Sequence, residues 1–129
     1  MLVSLPVSIG EAIDKLTILQ IKAERISDAN KLVNINKELS ILKADLDKID
    51  GLWGQISKLM SDLKTVNEEL WVIEDDIRAK EFKKEFDEEF IRLARAVYVT
   101  NDKRADVKKQ INLLLGSELV EEKSYEDYQ

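Results

Sequence analysis

Apolar side chains recur three and four residues apart over most of this chain, the spacing that places them on one side of an α-helix. Ile9, Ala12, Leu16, Leu19, Ala23 and Ile26 form the first such series. Ile13, Ile18 and Ile21 widen it beyond a coiled-coil stripe, so this helix is expected to have neighbours on two sides. At its start Ser8 and Glu11 have the spacing of a capping box: the hydroxyl accepts from the Glu11 amide and the carboxylate reaches back to the Ser8 amide. Ahead of it, residues 2–7 are apolar and interrupted by Pro6, which pushes Leu5 out of the helical region and reads as extended chain.

After a short polar break at Ser27–Asn30 the pattern resumes with Leu32, Ile35, Leu39, Leu42, Leu46 and Ile49, and Asp50-Gly51 is the expected stop. A hairpin at 50–54 is the favoured reading. One continuous helix over 31–81 competes with it, because Ile49, Trp53 and Ile56 keep the helical phase and two interior glycines cost only about 1 kcal/mol each. Ile56, Leu59, Leu63, Val66, Leu70, Ile73 and Ile77 then give an unbroken series, and Asp87 is the expected N-cap of a last long helix. That helix carries Phe86, Phe90, Leu93, Val97, Ile111 and Leu115 on one face and stops at Gly116, with Thr100, Asn101 and Asp102 as candidate positions for a kink. The tail Ser117–Gln129 is acidic and aromatic, and Leu119-Val120 is a candidate strand against residues 2–5. The fold class expected is all-α: an antiparallel bundle of three to four long amphipathic helices in a single domain over residues 1–129, with a short two-stranded clip between the termini.

Composition sharpens this. With 4 Gly and 1 Pro in 129 residues, the chain cannot supply the turns of a sandwich or barrel. Its 44% hydrophobic and 36% charged content is too apolar for disorder and suits long helices. There is no Cys and no His, which removes disulfides, cysteine nucleophiles, the commonest metal ligands and the commonest general base. No metal or cofactor is expected. The net charge of −6 comes with basic residues dispersed among acidic ones, so nucleic acid is disfavoured as a partner. No apolar run approaches the length of a membrane span and the N-terminus lacks a signal peptide's basic region, so a cytoplasmic protein without a membrane partner is expected.

Helical geometry singles out one polar constellation. Asn67, Trp71, Glu74, Arg78 and Glu81 line one flank of the third apolar series, with Asp75 further round and ion pairing expected from Glu74 and Asp75 to Arg78. On the last helix the apolar face is interrupted: Asn101, Arg104, Lys108 and Asn112 fall at the angular positions of Phe90 and Val97. Arg and Lys on a core face must be paired or reach water. A register-setting ion-pair network, or a kink at Asn101 that turns these residues to solvent, is therefore the preferred explanation. The functional alternative is a small anion site with Arg95, Arg104 and Lys108 as donors and Trp71 or Tyr98 as a wall. Two helical enzyme patterns fit less well. The opening helix has a superficial likeness to the helical chorismate mutases but has Ser8-Ile9-Gly10-Glu11 where an arginine usually stands. Glu11 with Asp14 and Glu85 with Glu88 have the spacing of the magnesium-binding carboxylates of all-α nucleotide pyrophosphohydrolases, in the wrong order along the chain.

Three stretches form a familiar set: residues 7–25 (VSIGEAIDKLTILQIKAER), 67–78 (NEELWVIEDDIR) and 93–105 (LARAVYVTNDKRA), continuing to Gly116-Ser117 and Glu121–Tyr125. Together they resemble a small bacterial family of unknown function, over most of the chain and least around 45–60. The resemblance implies no activity. It marks Trp71, Glu74, Asp75, Arg78, Arg95, Tyr98, Asn101, Asp102 and Arg104, with Glu121, Glu122, Lys123 and Tyr125, as positions that match the family pattern. The expected function is a non-enzymatic interaction or assembly protein acting as a homo-oligomer, with a possible further protein partner. The alternative is a small-molecule-binding protein or helical enzyme that takes an anionic metabolite through the Arg/Glu/Asn cluster.

Overall fold

The computed structural model describes residues 1–128, leaving Gln129 outside, and the chain forms four helices: α1 (Ile9–Arg25), α2 (Ala29–Asp47), α3 (Leu52–Lys83) and α4 (Glu88–Leu114). Three of them start on a side-chain cap. Ser8 Oγ accepts from the Glu11 amide at 3.1 Å, Asp28 from Lys31 at 3.0 Å and Asp87 from Phe90 at 2.9 Å, each satisfying one of the amides that a helix start leaves without a partner. The capping box is only half made, because the Glu11 carboxylate turns away from Ser8 to the ammonium of Lys108.

The hairpin reading of 31–81 holds. The chain reverses over residues 48–51 with Gly51 in the left-handed region at φ 69°, and α3 begins at Leu52, so that Trp53 and Gly54 lie inside the new helix. Trp53 Nε1 donates to Asp47 Oδ1 at 2.9 Å and ties the two sides of the turn. Between α3 and α4, Lys84 adopts φ 57°, and Lys80 Nζ holds both Asp87 and Glu85 at 2.9 Å across the reversal. These two hydrogen bonds, Asp87 first, raise the Lys80 ammonium above its ordinary range. Helix α4 runs unbroken through Thr100–Asp102, so the kink positions are ordinary helix. The terminal clip is corrected: among the described residues there is no strand, and Leu119-Val120 does not pair with residues 2–5. The first seven residues are exposed, whereas the tail is fastened to α4 by side-chain ion pairs, Glu121 to Lys108 and Glu122 to Lys109.

The wide apolar face of α1 explains the packing. Ile13 and Leu16 join Leu46 of α2, Leu52, Ile56 and Leu63 of α3 and Ile111 of α4 in one buried cluster, so α1 touches all three other helices. Helices α3 and α4 pack on each other most extensively, while α2 leans on α1 and buries only Ile35 and Leu46. At 1.5 Å per residue α3 is about 48 Å long and α1 about 26 Å. The α3–α4 pair therefore outlasts α1 and continues as an arm. Its tip holds every phenylalanine of the chain: Phe82 is 87% exposed, Phe86 58% exposed, and Phe86 meets Phe90 edge-on at 5.2 Å. Among the described residues no helix is long and apolar enough to cross a membrane.

Candidate functional site

Gly10, Asp14, Thr17 and Ile21 stand four, three and four residues apart, and all four are buried on the side of α1 that faces α3 and α4. Asp14 is thus a carboxylate on a core face, 1% exposed. Isolated there, its charge would be prohibitive. It is surrounded instead. Arg104 of α4 grips it with two parallel hydrogen bonds, Nε to Oδ1 at 2.9 Å and Nη2 to Oδ2. From α3, Asn67 Nδ2 donates to Asp14 Oδ1 and to Thr17 Oγ1, both at 2.9 Å, and the Thr17 hydroxyl in turn donates a hydrogen bond to the Asp14 carbonyl at 2.8 Å. The planar guanidinium matches the carboxylate fork, which fixes direction as well as charge. The hydrogen bond to Asp14 holds the Arg104 guanidinium above its already high range.

One turn further along α4, Lys108 is 8% exposed and reaches Glu11 at 2.7 Å and Glu121 of the tail at 3.1 Å, with Asp14 Oδ2 at 4.0 Å. Burial pulls its ammonium down, but the hydrogen bonds to Glu11 and Glu121 overcome this and its pKa lies above the ordinary lysine value. Glu121 responds in the opposite sense: Lys108, then Lys123, hold its carboxyl below the ordinary glutamate range. A turn beyond, Asn112 Oδ1 accepts from the Gly10 amide at 2.7 Å. No side chain fits at Gly10, since a Cβ there would stand 2.5 Å from the Lys108 carbonyl oxygen and 2.8 Å from Asn112 Oδ1. Pairs 10–112, 11–108 and 14–104 run in opposite directions along the two helices, so this polar ladder sets the antiparallel register of α1 on α4.

The interrupted face of α4 is therefore real, and its polar partners are chiefly on α1, with Glu121 of the tail added at Lys108. Sequence reasoning placed Arg104 and Lys108 and singled out Glu11 and Asp14 only as a pair with magnesium-site spacing; it did not set them, or Thr17, opposite α4. The four-three-four spacing of Gly10, Asp14, Thr17 and Ile21 was the available signal. Trp71, Glu74, Asp75, Arg78, Asn101 and Arg104 do come together, along an open groove of about 580 Å³ with Ile18 and Lys22 on its α1 side. Tyr98, Asn101 and Asp102 line a different cavity under the tail, and Asn101 borders both. Arg95 is exposed and borders neither. In the groove, Arg78 pairs with Glu74 at 3.2 Å and Arg104 with Asp14. Of the cations proposed as anion donors, Arg104 and Lys108 are thus committed to carboxylates, and Arg95 lies outside the groove. Among the described residues no buried side-chain nitrogen or oxygen lacks a hydrogen-bond partner, and no group of His, Cys, Asp and Glu is placed to hold a metal.

Residues 3–128 match the model of a family described as of unknown function, DUF6165. The chain matches no curated protein and no solved structure.

Two outcomes follow from the ladder. Gly10→Ala forces the α1–α4 contact apart and is expected to cost about 1–3 kcal/mol in urea unfolding. Gly54→Ala, where a Cβ meets nothing within 4 Å, is expected to raise stability by about 0.5–1 kcal/mol. Equal effects of the two would contradict the reading of Gly10. The second outcome concerns the tail. Because the pKa of Glu121 is depressed in the folded state, its contribution to tail docking is present above the ordinary carboxylate range and is lost as pH falls through the lowered value. Because that of Lys108 is raised, the same tether holds below the ordinary lysine range and fails only as pH rises past it. The Glu121 side-chain carboxyl carbon, followed by NMR, should keep its ionised shift down through the ordinary glutamate range and change, with release of the tail, only below it. Release already at the ordinary glutamate pKa would show that the tether is not formed.

Proposed function

Since the chain belongs to this family of unknown function, its role is read from its own surface, and we propose that it is a non-enzymatic assembly protein that self-associates through the tip of the α3–α4 arm. The observation that carries this is the concentration of Phe82, Phe86 and Phe90 at the free end of the arm, two of them largely in water. Exposed aromatic rings grouped at one place mark an interaction surface far better than scattered apolar side chains do. Each phenylalanine fully buried contributes roughly 1.5–3 kcal/mol, so two tips joined about a twofold axis would bury enough apolar surface to matter.

The charges around the tip suit a second copy. Lys80, Lys83 and Lys84 stand among Glu81, Glu85, Asp87, Glu88 and Glu89, a surface of mixed sign with a small acidic excess, on which a second copy can set cations against carboxylates. Supporting the same reading, the interior polar groups are satisfied by one another. An anionic metabolite would need Arg104 or Lys108 freed from Asp14, Glu11 and Glu121, and exposing those carboxylates opposes its binding.

Sedimentation equilibrium on the full chain tests the proposal. The expected result is a reversible two-chain species that reverts to single chains in the Phe82→Ser, Phe86→Ser double variant, with helicity by circular dichroism unchanged. A single-chain species at every concentration, or association indifferent to both substitutions, would overturn it.

A further inference from the structure

All three tyrosines of the chain meet at one place. Tyr98 projects from α4, and the tail brings Tyr125 and Tyr128 across it, enclosing an open cavity of about 730 Å³. The arrangement is built from specific contacts. Tyr128 packs edge-on against Tyr98 with ring centres 5.1 Å apart, and its hydroxyl donates to Asp102 Oδ2 one turn along α4. The tail itself is carried there by the Glu121–Lys108 pair at its root. Charged groups complete the lining: Asp102 from the helix, and Glu126, Asp127 and the basic Lys123 from the tail.

We infer that this cavity is a binding site for a small organic cation, an ammonium carrying apolar substituents. The face of an aromatic ring is negative and its edge positive, so several rings around one space attract a cation whose methyl or methylene groups also prefer to leave water. Tyrosine suits such a wall because its hydroxyl can be anchored elsewhere, as that of Tyr128 is on Asp102. A neutral apolar guest would gain the ring contact but nothing from Asp102 and Glu126. An anion would meet those carboxylates at close range. The molecule already shows the preference internally: the Lys123 ammonium lies 5.5 Å from the centre of the Tyr125 ring, within the range of a cation–π contact. This site lies on the tail side of α4 and is independent of the phenylalanine tip, so either reading can fail without the other.

The test is a titration of the isotope-labelled full chain with choline and with tetramethylammonium, followed by amide shifts, beside 3,3-dimethyl-1-butanol, the neutral analogue of choline. Saturable shifts at Tyr98, Asp102 and Tyr125 are expected for both cations, with the neutral analogue weaker on the order of tenfold. Tyr125→Leu, at a side chain 77% exposed and outside the core, should weaken choline by a similar factor while leaving the melting transition in place. Equal affinity for the neutral analogue, shifts that do not saturate, or undiminished binding in Tyr125→Leu would each overturn the assignment.

Discussion

A carboxylate with 1% of its surface exposed, placed where three helices meet, is the constraint on which the rest of this structure depends. Hydrophobic spacing alone would let α1 slide or rotate on α3 and α4, because one turn of leucine and isoleucine packs much like the next. Asp14 removes that freedom. Its two oxygens are satisfied only when Arg104 of α4 and Asn67 of α3 arrive at the same level, and a charge left without them in the interior costs several kcal/mol. The flanking rungs follow from that register: Glu11 faces Lys108, and the backbone at Gly10 comes close enough for its amide to donate a hydrogen bond to Asn112. Polar groups here select one arrangement among several that would bury the same apolar surface.

This division of labour explains what the sequence made legible. Helices over most of the chain, the Asp87 cap and the reversal at Gly51 are local matters, fixed by three-and-four spacing and by the demands of helix ends, and they could be read directly. The interruption of the α4 face by Arg104 and Lys108 was also visible, because angular position on one helix needs no partner. Which helix fills the interruption is a property of packing. Asp14 was hard to see for the same reason: among 26 acidic residues, one more on a helix reads as solvated surface unless its place beside Gly10, Thr17 and Ile21 is weighed. The terminal clip failed because side-chain charges carry the tail onto α4 while residues 2–5 stay exposed, so the two segments do not pair and their backbone is left to water.

The outer surface carries the features that point to function. Carboxylates of the ladder pair with the cations beside them, while the phenylalanines and the tyrosines form two separate groups on the α3–α4 pair and the tail. Phenylalanines gather at the tip of the arm, where only another apolar surface can cover them. Tyrosines gather where the tail crosses α4, Tyr98 from the helix and Tyr125 and Tyr128 from the tail, with acidic side chains and Lys123 around them. The tail joins the tyrosine group to the ladder, since it is attached at Lys108, the rung next to Asp14 and Arg104.

A double-mutant cycle between Asp14 and Arg104, read by urea unfolding, tests the central claim most directly. With Asp14→Leu and Arg104→Met, each single substitution strands a partner and should cost about 3–5 kcal/mol. The double substitution should cost well below the sum, by more than about 1 kcal/mol, since it strands neither. Additivity within about 0.5 kcal/mol would mean that the pair does not act as a unit and that something else sets the register of α1.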